Sequence, residues 1–221
     1  MIGSISVKKN GSLLKRLSMF AVAVIIAATG FIFPAKPVHA TASDHTYGYQ
    51  IGTPAYGQNP EKIAAGIDGS VYTYDSSRNE IVRFADDGSI LKRLKVSNII
   101  NGHINALSVG LDGNIYAGTY DKLYVITPDG ETVRSFSLSS YPKGIAVDSS
   151  GSVYVTQTNQ VVVYDSLCNQ VQSWGSSSAN SADGRFNNPL GLAIYNNEVY
   201  VADQNNHRVQ VFSMTGTDIP A

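Results

Sequence analysis

Few residues in this sequence have side chains suited to acid–base, nucleophilic or metal chemistry, and those few are widely spaced. After residue 40 there are three histidines, His45, His103 and His207, and one cysteine, Cys168. Metal sites need several ligands at short spacing, and nucleophilic catalysis needs a base beside the nucleophile. The Asp-Gly pairs lack the alternating oxygen ligands and the distant Glu of a calcium loop. The sequence therefore predicts no catalytic residue, no metal-ligand set and no cofactor.

A set of polar side chains predicts a binding surface instead. These residues lie in segments that lead into the first strand of the repeats described below, and such loops can gather around one end of a repeat protein. They combine an imidazole, a phenol, two cations and an amide, which suit a polar or acidic group on a partner. The alternative is that these segments are ordinary solvated loops. The candidate binding residues are His103, Tyr141, Lys143, Arg185 and Asn188.

These segments are positioned by a pattern that occurs four times after residue 41. Each copy contains a Val-Tyr or Ile-Tyr pair, and the tyrosines are 44, 38 and 46 residues apart, a spacing typical of solenoids and propellers. An apolar strand and a tight turn such as Asp68-Gly69 precede the tyrosine strand, and a third strand follows it. The first three copies add a fourth, more polar strand. The sequence predicts an all-β fold of meandering strands. The four tyrosines are Tyr72, Tyr116, Tyr154 and Tyr200.

Several strands are apolar on both faces, including residues 144–147 (GIAV), 161–164 (VVVY) and 190–195 (LGLAIY). Strands with this pattern lie in sheets that are covered on both sides. In a β-propeller, each sheet is a blade packed between two neighbours, and its outermost strand meets solvent. A solenoid of parallel coils would not need an Asp-Gly hairpin in each unit. We therefore predict a β-propeller of four-stranded antiparallel blades.

The fourth copy resembles an NHL repeat in residues 184–193 (GRFNNPLGLA), 199–203 (VYVAD) and 206–212 (NHRVQVF). The third copy is similar in residues 142–148 (PKGIAVD), and the first two copies keep the strand order. The resemblance implies a structural ion pair between Asp203 and Arg208, and a bidentate pair would hold the hairpin between the second and third strands. The corresponding positions in the other copies are Asp75 with Glu80 and Arg78 nearby, Thr119, and Gln157.

The resemblance also raises the question of blade number, because NHL-type propellers usually have six blades and this sequence has four copies. Residues 47–51 (YGYQI) have the pattern of a fourth strand but precede the first copy, whereas the last copy stops after its third strand. Joining the two would close a ring of four blades and cover its strand edges. The alternative is that the copies form part of a larger ring.

The first 40 residues have the features of a secretory signal peptide. They contain five of the 16 basic residues and no acidic residue, and an uncharged apolar run covers residues 17–33. A small-x-small end at residues 38–40 predicts cleavage between Ala40 and Thr41, and hence a secreted or extracytoplasmic protein. Seventeen helical residues reach only ~26 Å of the ~30 Å hydrocarbon core, so an uncleaved anchor is the alternative.

Residues 41–221 are therefore expected to form an exported, non-enzymatic NHL-type propeller that binds or scaffolds a protein or cell-surface glycan through its loops. They contain 11 basic and 17 acidic side chains, a charge of −6 that does not favour nucleic acid. Membrane contact is expected only through an uncleaved leader. The alternative function is a metal-dependent enzyme similar to propeller lyases or lactonases. That function needs ligands from several blades, and the candidate loops offer mainly Glu61 and His103.

Overall fold

The computed structural model describes residues 59–217, which belong to one compact unit, Ile51–Ala221. Within these residues the regular structure is β-strand, apart from two 3₁₀ turns at Val96–Asn98 and Gln204–Asn206. The strands form four antiparallel sheets, which we call blades 1 to 4. Blade 1 is β1 (Pro60–Ala65), β2 (Val71–Asp75), β3 (Glu80–Phe84) and β4 (Ile90–Lys95); blade 2 is β5 (Ala106–Val109), β6 (Ile115–Gly118), β7 (Lys122–Ile126) and β8 (Thr132–Ser137); blade 3 is β9 (Pro142–Val147), β10 (Val153–Gln157), β11 (Gln160–Tyr164) and β12 (Gln170–Gly175); blade 4 is β13 (Pro189–Tyr195), β14 (Glu198–Asp203) and β15 (Arg208–Ser213).

The predicted all-β meander is confirmed, because strand order follows the chain in every sheet. Blade 4 has three strands among residues 59–217. The leader with its Ala40–Thr41 cleavage site, His45 and the predicted closing strand at residues 47–51 lie outside the described residues. In the part of the chain that is described, no helix is long and apolar enough to span a membrane.

The Asp-Gly pairs form the hairpin turns that the sequence predicts, and their carboxylates are used within the turns. Gly69 and Gly113 adopt φ values of 82° and 77°, which glycine reaches without strain. Asp68 Oδ1 accepts hydrogen bonds from the Ser70 backbone N–H at 3.1 Å and the Ser70 hydroxyl at 2.6 Å. Asp112 Oδ1 accepts the Asn114 backbone N–H at 3.1 Å in the same way. Each aspartate thus stabilises its own chain reversal.

Each blade presents one face to the following blade and one to the preceding blade; we call these the forward flank and the backward flank. The repeated tyrosine lies on the forward flank, and Tyr72, Tyr116 and Tyr154 are only 2%, 0% and 3% exposed. Three hydrophobic clusters join blade 1 to blade 2, blade 2 to blade 3, and blade 3 to blade 4. Each cluster packs the tyrosine of one blade against aliphatic residues of the next.

The first strands β1, β5, β9 and β13 lie next to one another in that order, so they are the inner strands of four blades stacked flank to flank. Of the strands predicted to be apolar on both faces, β11 is buried at residues 161–164, and β10 beside it is buried along its whole length. By contrast, β13 is only partly buried. The prediction of a propeller arrangement is therefore confirmed.

The inner strands of blades 3 and 4 approach most closely at Gly144. A Cβ atom there would lie 2.6 Å from the Leu190 carbonyl oxygen and 3.1 Å from the Gly191 Cα. The same Leu190 carbonyl accepts a hydrogen bond from the Thr156 hydroxyl of blade 3. Backbone atoms of two blades therefore meet at this point, and a side chain on Gly144 would separate them.

We predict that Gly144→Ala lowers the free energy of unfolding by about 1–3 kcal/mol, because the added methyl group overpacks the interface between blades 3 and 4. Gly191→Ala is the matched control, since a Cβ at Gly191 meets nothing within 4 Å. That control should be neutral or slightly stabilising. Urea denaturation followed by circular dichroism measures both variants, and equal stabilities would contradict the close approach.

A second prediction concerns acid stability. The Ser70 hydroxyl, followed by the Ser70 backbone N–H and the Arg83 guanidinium, lowers the pKa of Asp68 to about 2. Folding therefore favours the carboxylate, and its stabilisation is complete above the unfolded pKa of ~4 and is lost as the pH falls toward ~2. Asp68→Asn should lose less free energy of unfolding than the wild type between these two pH values. Parallel urea titrations measure this difference, and identical pH dependences would contradict the assignment.

Candidate functional site

The predicted binding residues lie at one end of the blades, which we call the loop face. In an antiparallel sheet, the start of the first strand and the end of the second strand lie at the same edge. Segments that enter the first strands therefore lie beside the turns between the second and third strands. Those segments are residues 96–105, 138–141 and 176–188, and those turns are residues 76–79, 119–121, 158–159 and 204–207.

His103 joins blade 1 to blade 2 through a short chain of hydrogen bonds. Its Nε2 lies 3.0 Å from Glu61 Oε2, and its Nδ1 lies 3.2 Å from the Tyr74 hydroxyl, which donates to Asn79 Oδ1 at 2.9 Å. The hydrogen bond from Ser76, with smaller contributions from His103, lowers the pKa of Glu61. The structure thus brings together the carboxylate and the imidazole considered for an enzyme. The side chain of His103 is 48% exposed, so solvent reaches this pair.

Tyr141 joins blade 2 to blade 3. Its hydroxyl donates to Asn105 Oδ1 at 2.7 Å, and its ring packs edge-on against the ring of Tyr120 with a centroid separation of 6.0 Å. The two rings remain accessible, since Tyr120 is 75% exposed and Tyr141 is 42% exposed. The loop face therefore carries an exposed aromatic pair whose orientation is fixed by a hydrogen bond between blades.

Lys143 and Asn188 come into direct contact at the junction of blades 3 and 4. The Lys143 ammonium donates to Asn188 Oδ1 and to the Thr158 carbonyl oxygen, the latter at 3.4 Å. Asn188 adopts a left-handed φ of 58°, and its backbone N–H donates to Asn159 Oδ1 at 2.9 Å. Burial lowers the pKa of Lys143. Both acceptors of the ammonium group within the described residues are neutral oxygens, so neither contact neutralises its positive charge.

Asp203 is fully buried at the end of β14 and is the centre of a hydrogen-bond network. Its Oδ1 accepts the Asn187 backbone N–H at 2.7 Å. Its Oδ2 accepts from Arg208 Nε at 3.2 Å, from Gln210 Nε2 at 3.0 Å and from Asn206 Nδ2 at 2.8 Å. This carboxylate therefore connects the hairpin of β14 and β15 to the loop that enters β13.

The pairing of Arg208 with Asp203 differs from a bidentate ion pair. One guanidinium N–H binds Asp203, while the terminal nitrogens donate to Asp183 Oδ1 at 3.0 Å, to the Ala182 carbonyl at 2.7 Å and to the Arg185 carbonyl at 3.1 Å. The loop at residues 182–185 folds over the guanidinium and offers these acceptors. Arg185 thus takes part in the network through its backbone, and its side chain donates to the Gly175 carbonyl oxygen.

The residues equivalent to Asp203 have a related role in two other blades, Gln157 in blade 3 and Asp75 in blade 1. Gln157 Oε1 accepts the Ser140 backbone N–H at 3.2 Å, and Asp75 Oδ1 accepts the Asn59 backbone N–H at 3.2 Å. In each case a buried side chain at the end of the second strand holds the segment that enters the first strand. The backbone N–H of Arg78 donates to Asp75 Oδ1, and within residues 59–217 the buried Oδ2 of Asp75 has no hydrogen-bond partner.

Of the five predicted binding residues, the structure brings Lys143 and Asn188 into contact, whereas His103, Tyr141 and Arg185 each bind other partners. Sequence reasoning missed Tyr120 and Asn105, which complete the group at Tyr141. One sequence feature pointed to Tyr120: in blade 2, Thr119 stands at the position where the NHL-like fourth copy has Asp203, so the turn that contains Tyr120 departs from the NHL pattern. Among residues 59–217, no group of three or more His, Cys, Asp or Glu side chains converges in a way that could hold a metal ion.

Comparison with known proteins gives one family match and several structural ones. The NHL repeat model matches residues 186–212. A search of curated protein sequences found no match. Streptogramin B lyase is similar with 18% identity and a TM-score of 0.58, covering 72% of this chain and 53% of that one. A Bacteroides thetaiotaomicron protein of unknown function has 18% identity and a TM-score of 0.61, covering 74% and 49%. The computationally designed Ika4 protein has 16% identity and a TM-score of 0.53, covering 76% and 99%.

The family match confirms the NHL repeat predicted in the fourth copy. The structural matches show a shared fold, and at these identities they show the fold alone. This chain spans about half the length of streptogramin B lyase and of the Bacteroides protein.

We predict that Asp203→Ala lowers the free energy of unfolding by about 3 kcal/mol, because it breaks a buried charge pair and leaves Arg208 Nε–H and the N–H donors of Asn187, Asn206 and Gln210 without this acceptor. Asp183→Ala is the matched control, since Asp183 binds the same guanidinium but its side chain is 84% exposed. An exposed ion pair contributes less than about 1 kcal/mol. Chemical denaturation measures both variants, and equal losses would contradict the central role of the buried carboxylate.

Proposed function

We propose that this protein is a non-enzymatic, exported binding module whose loop face contacts a protein or a cell-surface glycan. The observation that carries the proposal is the pair of exposed tyrosine rings, Tyr120 and Tyr141, fixed side by side at the junction of blades 2 and 3. The propeller supplies the rigid support, and the loops supply the contact residues.

Such a pair suits recognition for physical reasons. A tyrosine ring offers a large apolar surface with few rotatable bonds, so little conformational entropy is lost when a partner covers it. The hydrogen bond from Tyr141 to Asn105 already holds one ring in place before binding. Tyrosine is also among the residues that contribute most to binding free energy when they are buried at an interface.

The polar groups on the loop face favour a partner with acidic or hydrogen-bonding groups. Among residues 59–217, only neutral oxygens bind the half-buried ammonium group of Lys143, and a carboxylate or sulfate on a partner would neutralise its charge. The amides of Asn105 and Asn188 add hydrogen-bonding capacity. The negative charge of residues 41–221 argues against a nucleic-acid partner. The basic and apolar leader supports a location outside the cytoplasm.

The test compares a double variant, Tyr120→Ala with Tyr141→Ala, against the wild type. Protein and glycan fractions extracted from the surface of the producing cells are passed over each immobilised protein, and the bound partner is titrated by biolayer interferometry. We expect binding to weaken by about 30-fold or more, since each ring contributes like an interface aromatic.

The matched control is the double variant Leu167→Ala with Val171→Ala, whose side chains are 79% and 58% exposed away from the loop face. This variant should bind like the wild type. Equal binding by the wild type and the tyrosine variant would refute the role of the loop face. If the immobilised wild-type protein retains nothing from either the protein fraction or the glycan fraction, the binding function is refuted.

The second candidate function is an enzyme similar to propeller lyases, favoured by the contact between Glu61 and His103 and by the fold shared with streptogramin B lyase. A carboxylate can orient an imidazole as a general base. Incubation of the protein with a streptogramin B antibiotic and a divalent cation distinguishes the two functions. The binding proposal expects no turnover above a buffer blank. Turnover that is lost in His103→Ala would replace the binding proposal.

A further inference from the structure

The forward flank of blade 4 carries residues equivalent to those that blades 1 to 3 bury against the next blade, but on blade 4 this flank is exposed. Strand register shows the equivalence: Tyr200 pairs with Val211 and Ala202 with Val209, as Tyr154 pairs with Val163 and Thr156 with Val161 in blade 3. In blade 3, Val161 and Val163 are 0% and 3% exposed against blade 4, whereas Val209 is 63% exposed. Blade 4 thus presents an interface side chain to solvent.

The backward flank of blade 1 shows the complementary exposure. Ile63 pairs with Thr73 as Leu107 pairs with Ala117 and Ile145 with Val155, so the three residues occupy the same position on their blades. Leu107 and Ile145 are 9% and 6% exposed under the preceding blade, but Ile63 is 73% exposed. A cavity of about 340 Å³ lies beside it. Its lining is Pro60, Glu61, Lys62, Ile63, Val71, Thr73 and Phe84.

We propose that the forward flank of blade 4 packs against the backward flank of blade 1 of a second copy of this chain. The three interfaces between blades within the chain have the same arrangement. In each, the forward flank of one blade, with its tyrosine and aliphatic residues, packs on aliphatic residues of the backward flank of the next blade. The inference concerns the blade flanks and is independent of the loop face and its function.

The pairing of surfaces within one chain favours a second copy as the occupant. The chain carries both complementary surfaces, so a head-to-tail contact uses one of each, and two copies related by a twofold axis make the contact twice and close a ring. Burial of Val209 and Ile63 gives the contact its hydrophobic stabilisation.

The experiment measures the mass of the protein, purified from cells that express the full chain, by light scattering and analytical ultracentrifugation. We expect a dimer at ~10 µM, in the range of ordinary dimer affinities. Val209→Arg and Ile63→Arg should each give a monomer, because either charge would be buried without a partner at both contacts. Leu167→Arg is the matched control and should remain a dimer, since Leu167 is 79% exposed on the turn between β11 and β12 of blade 3, a blade that contributes to neither flank.

A mixture of Val209→Arg and Ile63→Arg tests the head-to-tail arrangement. A mixed dimer can place both arginines at one contact and keep the other contact wild type, so the mixture should regain dimer that neither variant forms alone. A wild type that stays monomeric at ~100 µM would overturn the proposal. A dimer that survives Val209→Arg would also overturn it, as would one that is lost in Val209→Arg but kept in Ile63→Arg. Circular dichroism confirms that each variant is folded.

Discussion

The structure depends on one constraint, which is that each blade is apolar on both of its faces. A sheet of this kind gains its hydrophobic stabilisation only when another sheet covers each face, and blades stacked around an axis satisfy that requirement repeatedly. Tyr72, Tyr116 and Tyr154 show how the requirement is met, because each is buried against the blade that follows. Even the backbone takes part, since the inner strands of blades 3 and 4 approach so closely at Gly144 that a side chain does not fit. The same constraint applies at the two ends of the stack, where Val209 and Ile63 are exposed and another sheet covering them would add hydrophobic stabilisation.

Stacking also determines the loop face. Once the blades are packed flank to flank, the segments that enter the inner strands lie beside the turns of the neighbouring blade, and hydrogen bonds form between them. His103, Tyr141 and Lys143 each connect two blades in this way. Buried side chains at the ends of the second strands, such as Asp203 and Gln157, accept hydrogen bonds from backbone N–H groups of the same segments. Hydrogen bonds between blades therefore hold the segments of the loop face in place, and such preorganisation is the kind that lowers the entropic cost of binding.

The proposed binding function rests on the chemistry available on this face. Many of its contacts join hydroxyls, amides and neutral carbonyl oxygens, and Lys143 and His103 lie at different blade junctions. Within residues 59–217 the titratable pair at Glu61 and His103 has no third metal-binding side chain beside it. The exposed rings of Tyr120 and Tyr141 instead offer a surface that a partner can cover. Similarity of fold to a lyase does not alter this comparison, because activity depends on the residues that the loops place and not on the fold alone.

The sequence by itself determined the strand order, the hairpin turns and the stacking of two-sided sheets, because all three depend on local turn chemistry and on the alternation of side chains along a strand. It also identified Asp203 and Arg208, which lie five residues apart on one hairpin. Only the tertiary structure decided that Tyr120 lies beside Tyr141, that Glu61 contacts His103, and that Arg208 divides its hydrogen bonds between Asp203 and the loop at residues 182–185. These partners belong to separate turns and blades. Their distances depend on how the blades stack, a relation between distant segments that no local pattern contains.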